Sequence, residues 1–244
     1  MKKVVLLSVL VFSLAQLSAQ TQSRASSEDR NFKIPLIGDP APVFTAETTK
    51  GTLTFPTSYG NKWKLLFSHP QDYTPVCSSE IIELANMQND FDELNAKIVI
   101  ISTDNLETHV QWVKSLEELK YKGRQTQEIK FPLVDDNSKS VAKKYGMIHP
   151  NSNTTKDVRG VYIIDNHDVI QAVLFYPMAV GRNMDEIKRT LIALQTTSKG
   201  GAVVTPANWI PGDDVMVHYK KTAKENEADG LYDVSWYMTF KKNK

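Results

Sequence analysis

The sequence predicts an α/β domain built on a mixed sheet with helices on both faces, followed by a small carboxyl-terminal arm. Three observations carry this. Short apolar, β-branched runs alternate with longer segments of helical periodicity. Two strand candidates flank the turn Asp165-Asn166-His167, so one pair in the sheet is antiparallel. After Ser198 the texture breaks into prolines, glycines and isolated aromatics.

At the amino terminus Lys2 and Lys3 precede an apolar run from Val4 to Ala15 that ends in small residues at Ser18 and Ala19. That run is too short to span a bilayer and reads as a secretory signal peptide over residues 1–19. Residues 20–33 form a polar tether. No cysteine stands near the boundary to carry a lipid, so the mature chain is expected in the periplasm or outside the cell, with no membrane anchor.

The main domain is placed at residues 34–198. Gly38 to Phe44 is a lead-in loop, and Gly51 to Phe55 a short strand with alternating Thr and Leu. Lys64 to Ser68 is a core strand, Cys77 to Phe91 a helix and Lys97 to Ser102 a buried strand. Leu106 to Leu119 gives a second helix; Phe131 to Val134 and Ser138 to Tyr145 give a further strand and helix. Gly160 to Ile164 and Val169 to Phe175 make the antiparallel pair. A last helix opens at Asn183, with Glu186 three residues on in a capping arrangement, and runs to about Thr196. This order suits a sheet of the thioredoxin kind.

The arm, residues 199–244, contains Pro206, Trp209 and Pro211-Gly212, a strand from Val215 to Tyr219, and a second strand in which Val234, Trp236, Met238 and Phe240 alternate with polar residues. Its core is too small to stand alone, so its apolar face is expected against the main domain or a second subunit.

Charge is nearly balanced, with 29 Lys and Arg against 28 Asp and Glu, and the one like-charge cluster is the short tail Lys241, Lys242, Lys244. Nothing in this balance points to nucleic acid or to a membrane surface. The five histidines show no metal-ligand spacing, so neither a metal nor a cofactor is expected. The single cysteine, Cys77, excludes an intrachain disulfide, and a lone cysteine is more often a small buried apolar group than a nucleophile.

Its surroundings overturn that prior. The stretch from Ser68 to Glu80 joins the end of a core strand to the start of a helix, which puts Cys77 in a first turn. There, unpaired N–H groups and the positive end of the helix dipole stabilise a thiolate. Thr74, three residues earlier, carries a hydroxyl able to reach the sulfur or a ligand on it, although a plain loop or helix-capping threonine fits the same position. Pro70 and Pro75 stiffen the loop on either side. Arg159 heads the strand Gly160 to Ile164 on the face of Val161 and Ile163, where a cation needs a partner; the alternative is a side chain that snorkels into water. Arg182 precedes a helix whose dipole opposes it. Glu80 can pair an arginine and His69 can bind a proton, unless both are solvated.

Pro70, Thr74 and Cys77 match the Pro-x-x-x-Thr-x-x-Cys signature of peroxiredoxins, and Ser-His-Pro-x-Asp-Tyr-Thr-Pro-Val-Cys resembles the one-cysteine class. The resemblance continues through Asp104 to Trp112, Phe131-Pro-Leu-Val-Asp-Asp, Tyr176-Pro-Met-Ala-Val-Gly-Arg-Asn, Thr205-Pro-Ala-Asn-Trp and Gly212-Asp-Asp-Val-Met-Val. It implies a thioredoxin-like fold with the arm at a homodimer interface. It also implies Cys77 as the nucleophile on hydrogen peroxide and organic hydroperoxides, Thr74 and Arg159 around the peroxide, and Arg182, His69 and Glu80 in support. The sulfenic acid formed would be resolved by an external thiol or redox protein.

Two other readings compete. A thiol-disulfide oxidoreductase on the same fold needs a second cysteine where Thr74 stands. A chaperone or peroxide-sensing interaction protein would pass the oxidation of Cys77 to a partner instead of turning over with thiols.

Overall fold

The computed structural model describes residues 33–152, 155–200, 203–217 and 230–243. The predicted signal peptide, nearly all of the tether, and Lys244 lie outside them. Among the described residues no helix is long and apolar enough to cross a membrane.

A five-stranded sheet runs β7-β4-β3-β8-β9, with β3 (Trp63–Ser68), β4 (Ala96–Ser102), β7 (Leu133–Asp135), β8 (Arg159–Ile164) and β9 (Ile170–Tyr176). β3, β4 and β7 are parallel; β8 runs antiparallel to both β3 and β9. The central strands β3 and β8 are buried along their length because both faces are covered. On one face Leu65, Phe67, Val161 and Ile163 pack on α1 (Pro75–Glu93), α2 (Leu106–Glu117) and α4 (Met184–Ser198). On the other, Leu66, Val99, Tyr162 and Ile164 meet α3 (Ser140–Lys144) and the hairpin of β1 (Phe44–Ala46) and β2 (Leu53–Phe55). The two cores follow directly from the period-2 alternation of strand side chains.

Helix ends follow local chemistry. The Asn105 carboxamide accepts from Thr108 N at the start of α2, and that of Asn183 from Glu186 N at the start of α4. α3 lacks such a cap: its flanking Lys139 has φ 60°, and the Asp136 carboxylate takes the amides of Val141 and Ala142.

Three details depart from the sequence reading. Phe44, placed in the lead-in loop, begins β1. Lys120–Tyr121 and Arg124–Gln125 form a small hairpin, β5 and β6, after α2. In the arm, the stretch read as one alternating strand is a hairpin: β12 (Leu231–Ser235) turns at Trp236 and Tyr237 into β13 (Met238–Lys241). The alternating residues do not form one buried face, since Val234 and Trp236 are exposed and Thr239 is buried, and a two-residue turn without glycine or asparagine gives no local signal. β12 and β13 complete a four-stranded sheet, β10-β11-β13-β12, with β10 (Val203–Val204) and β11 (Val215–Val217). Trp209 is buried, and its carbonyl accepts from Arg189 of α4, tying the arm to the main domain.

Candidate active site

The site forms where β3 ends. After Ser68 the chain turns through Tyr73, held at φ 54°, to Thr74, whose extended backbone (φ −107°, ψ 147°) launches α1 with Pro75 at its first position. Proline is at home there because its missing N–H would be unpaired in any case. Cys77 therefore sits in the first turn of α1, as the sequence predicts, and its side chain is fully buried.

One carboxylate organises what surrounds the sulfur. Arg159 Nη1 lies 3.3 Å from Cys77 Sγ and 2.8 Å from Glu80 Oε2, while Nε and Nη2 donate to the Met178 carbonyl at 2.9 and 2.7 Å. Arg182 gives Glu80 three hydrogen bonds, from its backbone N, Nε and Nη2, and Nη1 reaches the carbonyls of Ser68 and Gly160. Its guanidinium lies over the Phe67 ring, 5.1 Å from the centroid. Burial works to raise Glu80's pKa, but the two arginines outweigh it and hold the carboxyl below its usual range. Two cations share one carboxylate, so the pocket keeps a surplus positive charge beside the sulfur. That surplus, with the amino end of α1, favours a negatively charged sulfur.

Arg159 and Arg182 are thus both buried, and the alternative of an arginine snorkelling into water fails for Arg159. Glu80 and His69 are buried too, not solvated. Pro70 is buried beside His69. The Thr74 hydroxyl donates to the Gln71 carbonyl at 3.0 Å, as a loop threonine does, and Arg159 is the hydrogen-bond partner of the sulfur. The Thr74 side chain makes no cap bond to α1 either.

Beneath the turn lies a string of groups the sequence did not reveal as a unit. His69 Nε2 is 2.8 Å from Asp72 Oδ1, and Asp72 Oδ2 is 2.6 Å from His109 Nδ1. His109 Nε2 is 3.1 Å from the Val134 carbonyl, and the Asp72 amide donates to Asp104 Oδ2 at 2.7 Å. Burial lowers His69's pKa despite Asp72. Burial would raise Asp72's, but hydrogen bonds from the two histidines hold it below the usual value. One atom each of His69, Asp72 and Asp104 lies within 4.8 Å of the others, a grouping invisible in the histidine spacing; hydrogen bonds already link the three. His109 left a weak signal, a polar residue on the buried stripe of α2 with Trp112, Val113 and Leu116. Asp157 left none: it is fully buried just before β8, and neither carboxylate oxygen has a hydrogen-bond partner among the described residues.

Comparison with known proteins bears on the same residues. The AhpC/TSA family model matches residues 37–173, and the model for the C-terminal domain of 1-Cys peroxiredoxin matches residues 193–229. A peroxiredoxin of Methanosarcina mazei is 46% identical over 217 residues, covering 86% of this chain and 99% of the relative. One from Aquifex aeolicus is 41% identical over 178 residues, 73% of this chain and 78% of its own. Among solved structures, a yeast mitochondrial 1-Cys peroxiredoxin, studied for thiol resolving through glutathione and thioredoxin systems, superposes with TM-score 0.76 at 36% identity. The match covers 86% of this chain and all of that one.

Proposed function

The chain belongs to the AhpC/TSA family of peroxiredoxins, and from that premise we propose that Cys77 is the sulfur that takes oxygen from the peroxide. The protein is a thiol-dependent peroxidase, an oxidoreductase acting on hydroperoxides, and its single cysteine fits the one-cysteine cycle.

The observation that carries the assignment is the 3.3 Å approach of Arg159 Nη1 to Cys77 Sγ. Attack of the thiolate on the terminal peroxide oxygen forms an S–O bond and breaks the O–O bond. The products are a sulfenic acid and an alkoxide or hydroxide, which takes up a proton to leave as alcohol or water. Negative charge moves from sulfur to the departing oxygen, and a guanidinium held in place beforehand stabilises both ends of that movement without reorganising. Glu80 fixes Arg159 and Arg182; Thr74 and Pro70 shape the loop through which the peroxide arrives. One equivalent of external thiol then displaces water from the sulfenic acid to give a mixed disulfide. A second releases Cys77 and leaves as the oxidised reductant.

Three further assignments complete the reading. The reductant is a glutathione- or thioredoxin-type thiol, as in the yeast neighbour. The protein works as a homodimer through its arm, where Trp236, Tyr237 and Val234 are 78%, 66% and 64% exposed in the single chain. The apolar run at residues 4–15 directs export, which mass spectrometry of the native amino terminus checks; a retained Met1 would refute it.

The deciding experiment is stopped-flow oxidation of the reduced protein by hydrogen peroxide, followed by tryptophan fluorescence, beside Cys77→Ser and Thr74→Val. Fast oxidation lost in the first variant and slowed in the second supports the assignment. Oxidation of the parent at the rate of an ordinary free thiol would overturn it.

A further inference from the structure

His109 lies on α2, and its ring is fully buried. Its Nε2 faces the Val134 carbonyl at 3.1 Å, and a carbonyl only accepts, so Nε2 carries a proton. Its Nδ1 faces Asp72 Oδ2 at 2.6 Å. An ionised carboxylate also only accepts, so Nδ1 carries the second proton. Hydrogen-bond accounting thus leaves this ring satisfied only as an imidazolium. His69, on the other oxygen of the same carboxylate, is the opposite case. Its Nε2 donates to Asp72 Oδ1, while its Nδ1 is buried with no partner among the described residues, which suits a neutral ring with a lone pair on that atom. One carboxylate therefore joins a charged ring to a neutral one.

The carboxylate belongs to the turn itself, since Asp72 stands between Pro70 and Thr74. Its main chain is held by Asp104 and its side chain by His109, so two anchors outside the turn converge on one residue. We propose that His109 is a positioning residue for the peroxidase reaction, an imidazolium that keeps Asp72 ionised and pins the catalytic turn to α2 so that Thr74 and Cys77 keep their places. This rests on the peroxidase reading above, but its first readout does not depend on activity.

The charged groups around His69 are Asp72, which favours its protonation, His109 and Arg182, which oppose it, and the Asp104 carboxylate within 4.8 Å, which is the same in every variant compared. Removing the charge of His109 while keeping a hydrogen bond to Asp72 must therefore raise the pH at which His69 takes up its proton. Asparagine does this, because its side-chain NH₂ occupies the place of Nδ1; leucine removes both charge and bond.

The test is imidazole nitrogen NMR of the ¹⁵N-labelled, reduced full chain between pH 5 and 8, with resonances assigned from single histidine variants. It is combined with stopped-flow oxidation of the parent, His109→Asn and His109→Leu. In the parent, both His109 nitrogens are expected protonated at neutral pH and His69 neutral with its proton on Nε2. In both variants the protonation midpoint of His69 moves up. Oxidation by hydrogen peroxide slows about tenfold or more in the leucine variant, the scale of a small misplacement of reacting groups, and asparagine recovers most of it. A neutral His109 in the parent, an unmoved His69 midpoint in His109→Asn, or parental oxidation rates in the leucine variant would each overturn the proposal. If the leucine variant does not fold, the parent spectrum and the asparagine variant still decide.

Discussion

Arg159 meets Cys77 and Glu80 with the same guanidinium nitrogen: Nη1 is 3.3 Å from the sulfur and 2.8 Å from Glu80 Oε2. The hydrogen bond that serves the reacting atom and the one that holds the arginine share a donor group, so the sulfur's environment is set by a carboxylate that does not itself touch it. Four predictions follow from this arrangement and its neighbours.

Arg159→Lys keeps a positive charge but loses the fork that spans Cys77, Glu80 and the Met178 carbonyl. Its second-order rate with hydrogen peroxide is expected to fall about a hundredfold, the usual cost of losing one aligned donor to developing charge. Stopped-flow fluorescence checks this, and a loss under threefold would show that charge alone suffices.

Glu80→Gln leaves two buried guanidinium groups without their counter-charge. Breaking such a buried cluster costs about 3 kcal/mol or more of folding stability at neutral pH. The sign of the pH effect is fixed. Glu80's folded pKa lies below its ordinary 4.5, so its stabilisation is complete above that value and is lost as pH falls through the lower folded value. Urea unfolding of parent and variant should therefore differ most at neutral pH and converge on acidification.

Asp157 works in the opposite direction. Burial first, and then the neighbouring Asp136 carboxylate, push its pKa well above 3.8, with Asp104 adding to them and Lys156 and Lys139 opposing. The native state holds this proton more tightly than the unfolded chain, so the contribution is intact below the ordinary value and is lost as pH rises through the folded one. With no partner for either oxygen among the described residues, Asp157→Val is expected to gain about 1 kcal/mol or more at pH 7. The gain should shrink at pH 4; a variant less stable than the parent at pH 7 would refute it.

Trp236→Glu places a charge on the exposed turn of the arm's last hairpin. If the arm joins two copies, sedimentation of the variant at micromolar concentration shows a shift toward monomer while the rate of Cys77 oxidation changes less than the association does. An unchanged dimer would place the contact elsewhere.

The residues around the sulfur were legible because each broke a local expectation. A cysteine in a helix's first turn, an arginine on the apolar face of a strand and a second arginine before a helix all asked for partners; the fold joins Arg159 to Cys77 and both arginines to Glu80. Glu80, flanking the cysteine loop, was readable as a possible arginine partner and equally as a solvated side chain; its burial between two arginines decides it. What stayed hidden depended on chain-distant meetings. The bond from Asp72 to His109 spans 37 positions, and His109 alone reads as a polar residue on an apolar stripe. Thr74 shows the complementary limit: spacing set which groups its hydroxyl could approach, but the local turn gave it Gln71 as acceptor. Asp157 was missed because its burial comes from loop packing, which leaves no periodic trace.

The full burial of Cys77 separates the two substrates by size. A hydroperoxide presents a slim reacting end and can reach a recessed sulfur through a narrow approach. A thiol carried on a peptide or a protein is bulkier, and the sulfur it must attack lies at the same depth. The first turn of the helix therefore has to give way during the second half of each cycle, with the ties of Arg159 and Arg182 to Glu80 resisting it. The depth of the sulfur thus bears on the thiol step more heavily than on the peroxide step.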